Sequence, residues 1–240
     1  MSFPRADRTA STMGGVARLA SRTWQEAGGI MVVPLGSTEQ HGPHLPLDVD
    51  ARIATAVADD LVARWRATGR DACAAPVVSF GASGEHAGFA GTVSIGTEVL
   101  RAMIIEIGRS ASEWTERLVF VNGHGGNVDA VSSAVRVLGD EGRDAQWLPC
   151  EVGGADPHAG RAETSIMLHL DPGAVRLDRA EPGDTRPLSA ILPDLRRAGV
   201  AAVSPNGVLG DPSGASAQEG ESVLKAMCDL AWQRAQRTSS

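Results

Sequence analysis

The chain has 240 residues, enough for one large domain or two small ones. It is 42% hydrophobic and 21% charged, as globular proteins are, and its net charge of -7 argues against nucleic acid or an anionic membrane as a partner. No apolar run reaches the roughly 18 residues of a membrane helix, and the first residues lack the apolar segment of a secretory signal. The three cysteines form no CxxC pair, so we expect no disulfide framework and no thiolate zinc site. A cytoplasmic protein fits these features best.

Segments with strand and helix patterns alternate along the chain. The run "GIMVVPLG" is almost unbroken in its apolar character and predicts a strand buried on both faces. Ile53, Val57 and Leu61 recur at helical spacing and predict a helix. In chain order we predict a helix over residues 16–27, a strand over 29–36, a helix over 51–69, a strand over 74–81, a helix over 97–115, a strand over 117–123, a helix over 127–142, a strand over 144–150, and helices over 163–170, 187–199 and 220–236.

The alternation predicts the fold class and the domain organisation. Strands that alternate with helices favour an α/β fold in which a mostly parallel central sheet is flanked by helices. No repeat, low-complexity segment or linker marks a boundary. We therefore expect a flexible N-terminal segment over residues 1–15, followed by a single layered domain over 16–240.

Side chains that can bind metal ions gather in three loops that follow predicted strands. Because the carboxyl ends of parallel strands meet at one edge of a sheet, loops far apart in sequence can converge there. Carboxylate oxygens and imidazole nitrogens together suit Zn²⁺, Mn²⁺ or Fe²⁺. The residues are Glu39, His41, His44, Asp48 and Asp50 in "PLGSTEQHGPHLPLDVD", His124 in "NGHGGN", and His158 and Glu163 in "HAGRAETS".

Each loop also has an interpretation without a metal. Asp48 or Asp50 could cap the following helix, and Glu163 near a helix start is favoured by the helix dipole. The glycine-rich "NGHGGN" could hold a phosphate at a helix N-terminus, although it lacks the Lys-Ser/Thr of a P-loop. A non-enzymatic scaffold that binds a metal or a nucleotide therefore remains an alternative.

Together the three motifs resemble those of the creatininase family of amidohydrolases, in the same order and spacing and over nearly the whole chain. The resemblance implies a creatininase-like fold and a metal-dependent hydrolase of C–N bonds with two divalent ions, either Fe²⁺, Zn²⁺ or Mn²⁺. It implies that Glu39 and His124 hold one ion, that His41 holds the other, and that Asp50 bridges both. It also implies a homo-oligomer, a hexamer or an octamer.

One position departs from the family pattern. In creatininase itself a glutamate two residues after the "NGH" histidine is a metal ligand, and this sequence has Gly126 there. Glu163 is then the candidate for the missing carboxylate. The resemblance further implies that His158 is a catalytic proton donor, and Glu163 could act as a catalytic base where no metal holds it.

Within the family, the chain most resembles members that trim a small, modified precursor peptide. That resemblance implies hydrolysis of an amide bond near the C-terminus of the peptide by a metal-activated water, with a remnant derived from Val-Tyr as product. The loop "GEHAGFAG" is a candidate wall for the substrate, with His86, Glu85 and Phe89 as contacts. The alternative substrate is a small cyclic amide or formamide. The tryptophan flap that closes over creatinine has no clear counterpart here, since Trp147 lies in a predicted strand and Trp232 in the last helix.

Overall fold

The computed structural model describes residues 16–236, so the segment 1–15 that we expect to be flexible lies outside the described residues, as do 237–240. Four strands form one sheet in the order β2-β1-β3-β4, and every neighbouring pair is parallel. The strands are β1 (Ile30–Leu35), β2 (Ala72–Ala74), β3 (Arg117–Asn122) and β4 (Ala145–Pro149). The predicted parallel sheet is thereby confirmed.

Helices cover both faces of this sheet, which confirms the predicted α/β class. The helices are α1 (Val49–Ala67), α2 (Thr97–Ala111), α3 (Val128–Asp140), α4 (Arg161–Leu170), α5 (Leu188–Ala198), α6 (Val200–Val203) and α7 (Ala217–Ala235). Helices α1, α4 and α7 share a hydrophobic cluster with one face of the sheet, and helices α2 and α3 share another with the opposite face. None of these helices, within the described part of the chain, combines the length and apolar character needed to cross a membrane. The single domain over 16–240 stays a prediction.

Strand β1 is buried along its whole length. Successive side chains of a strand point to opposite faces, so Ile30 and Val32 join the cluster beside α1 and α7, whereas Met31 and Val33 join the cluster beside α2 and α3. Because both faces are covered, no polar position interrupts the strand. This explains the unbroken apolar run in the sequence.

The helix predicted over residues 16–27 is wrong. The segment forms only two short 3₁₀ turns, Leu19–Ser21 and Trp24–Glu26, and Trp24 is 78% exposed. The carbonyl of Ala17 accepts a hydrogen bond of 2.8 Å from the backbone N–H of Ala74, so the chain here lies alongside the edge of β2. Backbone pairing with the sheet edge replaces the helix, because short isolated helices are marginal and the sheet edge offers hydrogen bonds instead.

The strand predicted over residues 74–81 is also displaced, since β2 ends at Ala74. Pro76 has no backbone N–H and cannot continue the ladder. Beyond it only Val78 forms an isolated bridge, with Leu35. The released chain leads to a short 3₁₀ turn, Gly84–His86, against which α5 and α6 pack. This turn brings two further polar side chains to the carboxyl edge of the sheet.

Candidate metal centre

The predicted metal-binding residues converge at the carboxyl edge of the sheet. Glu39 and His41 lie in the loop after β1, Asp50 in the first turn of α1, and His124 directly after β3. These four side chains are almost completely buried. Glu163 joins them from the first turn of α4, with 21% of its side chain exposed.

One group of possible ligands consists of Glu39, Asp50 and His124. Atom Nδ1 of His124 lies 3.2 Å from Oε1 of Glu39 and 3.3 Å from Oδ2 of Asp50. One ligand atom from each residue lies within 4.8 Å of the others, which is close enough to surround a single ion. The sequence places these residues in separate loops, and the sheet brings them together.

A second group consists of His41, His158 and Glu163, again with ligand atoms within 4.8 Å of one another. Atom Nε2 of His41 lies 3.2 Å from Oδ1 of Asp50 and 3.9 Å from Oε2 of Glu163. The two carboxylate oxygens of Asp50 therefore face different imidazoles. Asp50 lies between the two groups and is placed to serve both.

Backbone carbonyls orient the two imidazoles nearest to Asp50. Atom Nδ1 of His41 is 3.1 Å from the carbonyl oxygen of Glu39, and Nε2 of His124 is 3.4 Å from that of Ala82. A carbonyl only accepts hydrogen bonds, so in the neutral ring the proton lies on the nitrogen that faces it. The other nitrogen then directs its lone pair at the carboxylates, as metal-binding histidines do.

The carboxylates themselves fit a bound cation. Both oxygens of Glu39 and Oδ2 of Asp50 are buried and accept no hydrogen bond from the described residues. Burial of an ionised carboxylate costs free energy unless a donor or a cation compensates it. The donor set of carboxylates and imidazoles, without thiolates, suits a catalytic rather than a structural ion.

The charged groups of the site strongly shift one another's pKa values. Burial lowers the pKa of His41, but the charge and hydrogen bond of Asp50 outweigh burial and raise it to about 10. Burial opposes a charge on His124 as well, yet the charge of Glu39 raises its pKa well above the ordinary value. Burial raises the pKa of Glu163 to about 7. The carboxylates of the site therefore favour positive charge beside them, whether a proton or a cation carries it.

The "NGHGGN" motif shapes this edge of the sheet through its asparagines and Gly123. The side chain of Asn127 accepts a hydrogen bond from the N–H of Ala82 at 2.8 Å and donates to the carbonyl of Gly36 at 3.0 Å. A Cβ at Gly123 would lie 2.5 Å from the carbonyl oxygen of Asp50. The missing side chain thus lets β3 end against the start of α1, which brings His124 to Asp50.

Two of the candidate ligands in the first motif, His44 and Asp48, join neither group. His44 turns away, and its Nε2 lies 2.9 Å from Oγ1 of Thr164. Burial lowers the pKa of His44 to about 4. Asp48 stands at the N-cap position of α1 without a side-chain capping bond and pairs with Arg52 at 2.8 Å.

Two of the residues expected to contact substrate, His86 and Glu85, lie beside candidate metal ligands. Atom Nε2 of the buried His86 is 3.3 Å from Oε1 of Glu39, and Oε1 of Glu85 is 3.4 Å from Nε2 of His124. Phe89 packs on the small cluster formed by α5 and α6. Their assignment to substrate binding stays a prediction.

Gln40 is a residue of the site that the sequence reasoning missed. Its side chain is buried, and its Nε2 lies 2.9 Å from Nδ1 of His86 and 3.0 Å from Nε2 of His158. In an extended segment Gln40 should point away from Glu39 and His41, and no spacing rule marks it. Its position between two candidate ligands in "EQH" is the only signal that the sequence offers.

Comparison with known proteins identifies the family. The model of the creatininase family, described as creatinine amidohydrolase, matches residues 18–234. The chain belongs to the creatininase family. The creatininase family comprises metal-dependent amidohydrolases, and this chain is therefore an enzyme of that kind, as its resemblance to the family implied.

Three curated relatives show how similar this chain is to named members of the creatininase family. It is 57% identical to the mycofactocin precursor peptide peptidase of Mycobacterium tuberculosis over 83% of this chain and 81% of the relative. It is 55% identical to the protein of the same name from Mycolicibacterium smegmatis, over 89% and 87%. It is 30% identical to the creatinine amidohydrolase of Pseudomonas putida, over 85% and 90%.

Solved creatininase structures share the fold. The structure named "Creatininase Mn" has a TM-score of 0.72 and 26% identity, covering 92% of this chain and 97% of that one. A crystal structure of creatinine amidohydrolase has a TM-score of 0.71 and 26% identity, covering 93% and 99%. The creatininase-like fold expected from the sequence is confirmed, and the His/Glu groups described above are able to bind metal.

Proposed function

We propose that the chain is a binuclear metallopeptidase that hydrolyses an amide bond near the C-terminus of the modified mycofactocin precursor peptide and releases a remnant derived from Val-Tyr. The observation that carries the binuclear centre is the position of Asp50, whose Oδ1 faces His41 at 3.2 Å and whose Oδ2 faces His124 at 3.3 Å. The identity of 55–57% to relatives named as peptidases of this precursor supports the substrate.

In this proposal Glu39, Asp50 and His124 hold one ion, and His41, Asp50 and Glu163 hold the other. The ions would be Fe²⁺, Zn²⁺ or Mn²⁺, and when bound they would supply a Lewis acid for the amide carbonyl and lower the pKa of a bound water. Glu163 supplies the carboxylate that the resemblance expects at position 126. The N–H of Ala159 donates to Oε2 of Glu163 at 2.6 Å and orients the carboxylate toward His41.

His158 is the proton carrier of the proposed mechanism. Its Nδ1 lies 3.8 Å from Oε1 of Glu39, and its ring centroid lies 4.3 Å from that of His41. From this position Nδ1 can accept the proton of the attacking water and deliver it to the departing amide nitrogen. Glu163 is the alternative base when it is free of metal.

The exposure of the carboxylates indicates where substrate enters. Glu39 and Asp50 form the buried floor of the site, whereas the side chains of Glu85 and Glu163 remain 32% and 21% exposed. A peptide tail therefore approaches between the Gly84–His86 turn and the start of α4. His86, Glu85 and Phe89 are the proposed contacts on the first of these walls.

A small cyclic amide, as hydrolysed by the relative from Pseudomonas putida, is the second candidate substrate. The positions of the tryptophans disfavour it. Trp232 contacts Trp65 with ring centroids 5.7 Å apart in the core, and Trp147 packs with the cluster beside α2 and α3. Neither is placed to close over a small ligand.

The assembly and location of the enzyme belong to the same proposal. We infer a homo-oligomer, a hexamer or an octamer, in the cytoplasm. Large apolar side chains that are exposed in the single chain, among them Phe80 and Val99, support contacts between subunits. Cys73, Cys150 and Cys228 are all unpaired, which supports a reducing compartment.

The test compares two substrates on the metal-loaded enzyme. The modified precursor peptide and creatinine are supplied separately, and products are followed by mass spectrometry. We expect cleavage of the peptide near its C-terminus, loss of that cleavage after chelation, and recovery on addition of Zn²⁺, Fe²⁺ or Mn²⁺. Faster turnover of creatinine, or peptide cleavage that survives chelation, would contradict the proposal.

A further inference from the structure

The side chain of Gln40 has an orientation that its neighbours determine. Its Oε1 accepts a hydrogen bond from the backbone N–H of Gly42 at 2.9 Å, and its Nε2 donates to the carbonyl oxygen of Gly207 at 2.9 Å. An N–H can only donate and a carbonyl can only accept, so exchanging the two ends of the amide would break both bonds. The amide nitrogen therefore faces the histidines.

One of the two amide protons of Gln40 is donated to Gly207, so a single proton remains for the imidazoles of His86 and His158. His158 Nε2 lies 3.0 Å from Nε2 of Gln40, but it also lies 2.8 Å from the backbone carbonyl oxygen of Gln40. Because the carbonyl only accepts, His158 must carry a proton on Nε2 and cannot accept another there. The second proton of the Gln40 amide thus goes to Nδ1 of His86, at 2.9 Å.

The two histidines consequently present different nitrogens to the metal centre. His86 accepts at Nδ1, so its own proton lies on Nε2, the nitrogen that is 3.3 Å from Oε1 of Glu39. A protonated nitrogen cannot bind a metal ion. His158 has the opposite arrangement, because its proton lies on the outer Nε2 and its lone pair is on Nδ1, 3.8 Å from Oε1 of Glu39.

We propose that Gln40 is a positioning residue, whose side chain fixes the tautomer of His86 and whose backbone carbonyl fixes that of His158. It excludes His86 from the ligand set, although Glu39, His86 and His158 lie close enough together to hold an ion. It also holds His158 with a basic Nδ1 directed at the reacting groups. The role of Gln40 in catalysis rests on the proposed function, whereas the assignment of the two histidine tautomers does not depend on it.

The surrounding backbone reserves the space that this amide needs. Gly207 has a φ of +81°, and a Cβ there would lie 1.9 Å from Oε1 of Gln40. Glutamate at position 40 would place an acceptor where the amide nitrogen donates, and would force the proton of His86 onto Nδ1. Methionine would have a similar length and no proton to give. Glutamine is the side chain that satisfies Gly42, Gly207 and His86 together.

The experiment reads the tautomers directly. Two-bond ¹H–¹⁵N correlation spectra of the Zn²⁺-loaded, ¹⁵N-histidine-labelled protein assign a tautomer to each of the six histidines. We expect the Nε2–H form for both His86 and His158. An Nδ1–H form of His86, or coordination of Zn²⁺ by His86, would overturn the proposal without any variant and whatever the substrate proves to be.

Variants then test the role of the amide. In Gln40→Glu we expect His86 to change to the Nδ1–H form. In Gln40→Met we expect kcat for the peptide to fall about 10–100-fold, while KM and the zinc content change little. The matched control is Gln146→Met, since Gln146 lies in β4 and its Nε2 has no hydrogen-bond partner among the described residues. Unchanged tautomers in Gln40→Glu, or an unchanged kcat in Gln40→Met, would refute the proposal.

Discussion

The carboxylate of Glu85 lies against the imidazole of His124, with Oε1 3.4 Å from Nε2. Gly126 makes this contact possible, because a Cβ there would lie 2.5 Å from Oε1 of Glu85 and 2.5 Å from Nε2 of His124. The residue that departs from the family pattern therefore leaves room for a carboxylate from another loop. That carboxylate faces the outer nitrogen of the ring and not the carboxylates of the metal centre.

Replacement of Glu85 should weaken the ion beside His124. A carboxylate behind a metal-binding histidine orients the ring and raises its basicity, so Glu85→Ala is expected to lower metal affinity about tenfold, and Glu85→Gln by less. Competition with a chromophoric chelator measures the affinity. Glu98→Ala, an exposed glutamate in the first turn of α2, is the control. Equal affinities for all three variants would show that Glu85 has no part in metal binding.

Asp50→Ala should remove both ions and abolish hydrolysis, because each carboxylate oxygen of Asp50 faces a different imidazole. Elemental analysis and the peptide assay provide the measurements. The matched control is Asp48→Ala on the same loop, since the only ion pair of Asp48 within residues 16–236 is with Arg52 at the surface, and its loss should leave the metal content unchanged. Retention of either ion at full occupancy in Asp50→Ala would contradict the bridging role.

Glu163→Gln should selectively lose the ion beside His41. The amide oxygen can still accept from the N–H of Ala159, so the loop should keep its shape while the negative charge is lost. The ion held by Glu39 and His124 should remain. A metal content equal to that of the wild type would show that Glu163 is not a ligand.

His158→Ala should slow hydrolysis by about 10²–10⁴-fold, the usual contribution of a general acid or base, with both ions retained. Single-turnover rates and metal content, measured on the same preparation, separate the two effects. His169→Ala, an exposed histidine near the end of α4, is expected to behave as the wild type. Loss of metal before loss of rate would reassign His158 from proton carrier to ligand.

Metal binding should release protons and strengthen as the pH rises. The pKa of His41 is about 10 and that of His124 is raised as well, so both rings are protonated at pH 7 in the metal-free site. Glu163, with a pKa of about 7, is about half protonated at that pH. A ligand must lose its proton, so binding at pH 7 should release roughly two to three protons, and affinity should fall as the pH falls. Calorimetry in buffers of different ionisation enthalpy counts the protons. Affinity that is constant between pH 6 and pH 8 would contradict this expectation.

Much of the fold was predictable because the pattern of apolar residues is strong. Strands β1, β3 and β4 and helix α1 match their predicted ranges to within about two residues, since each buries a continuous face. The two wrong elements, residues 16–27 and 74–81, lie at the edge of the sheet beside β2. Their conformation depends on backbone pairing with another segment, which local periodicity does not encode.

The sequence by itself determined which loops reach the candidate metal centre, because loops after parallel strands must emerge at one edge of the sheet. Only the tertiary structure decided how the side chains of those loops face one another. Three features depend on contacts between segments distant in sequence. They are the position of Asp50 between two imidazoles, the contact of Glu85 with His124, and the histidine tautomers set by Gln40. Hydrogen bonds are directional over about 3 Å, and a linear motif specifies neither the distance nor the direction.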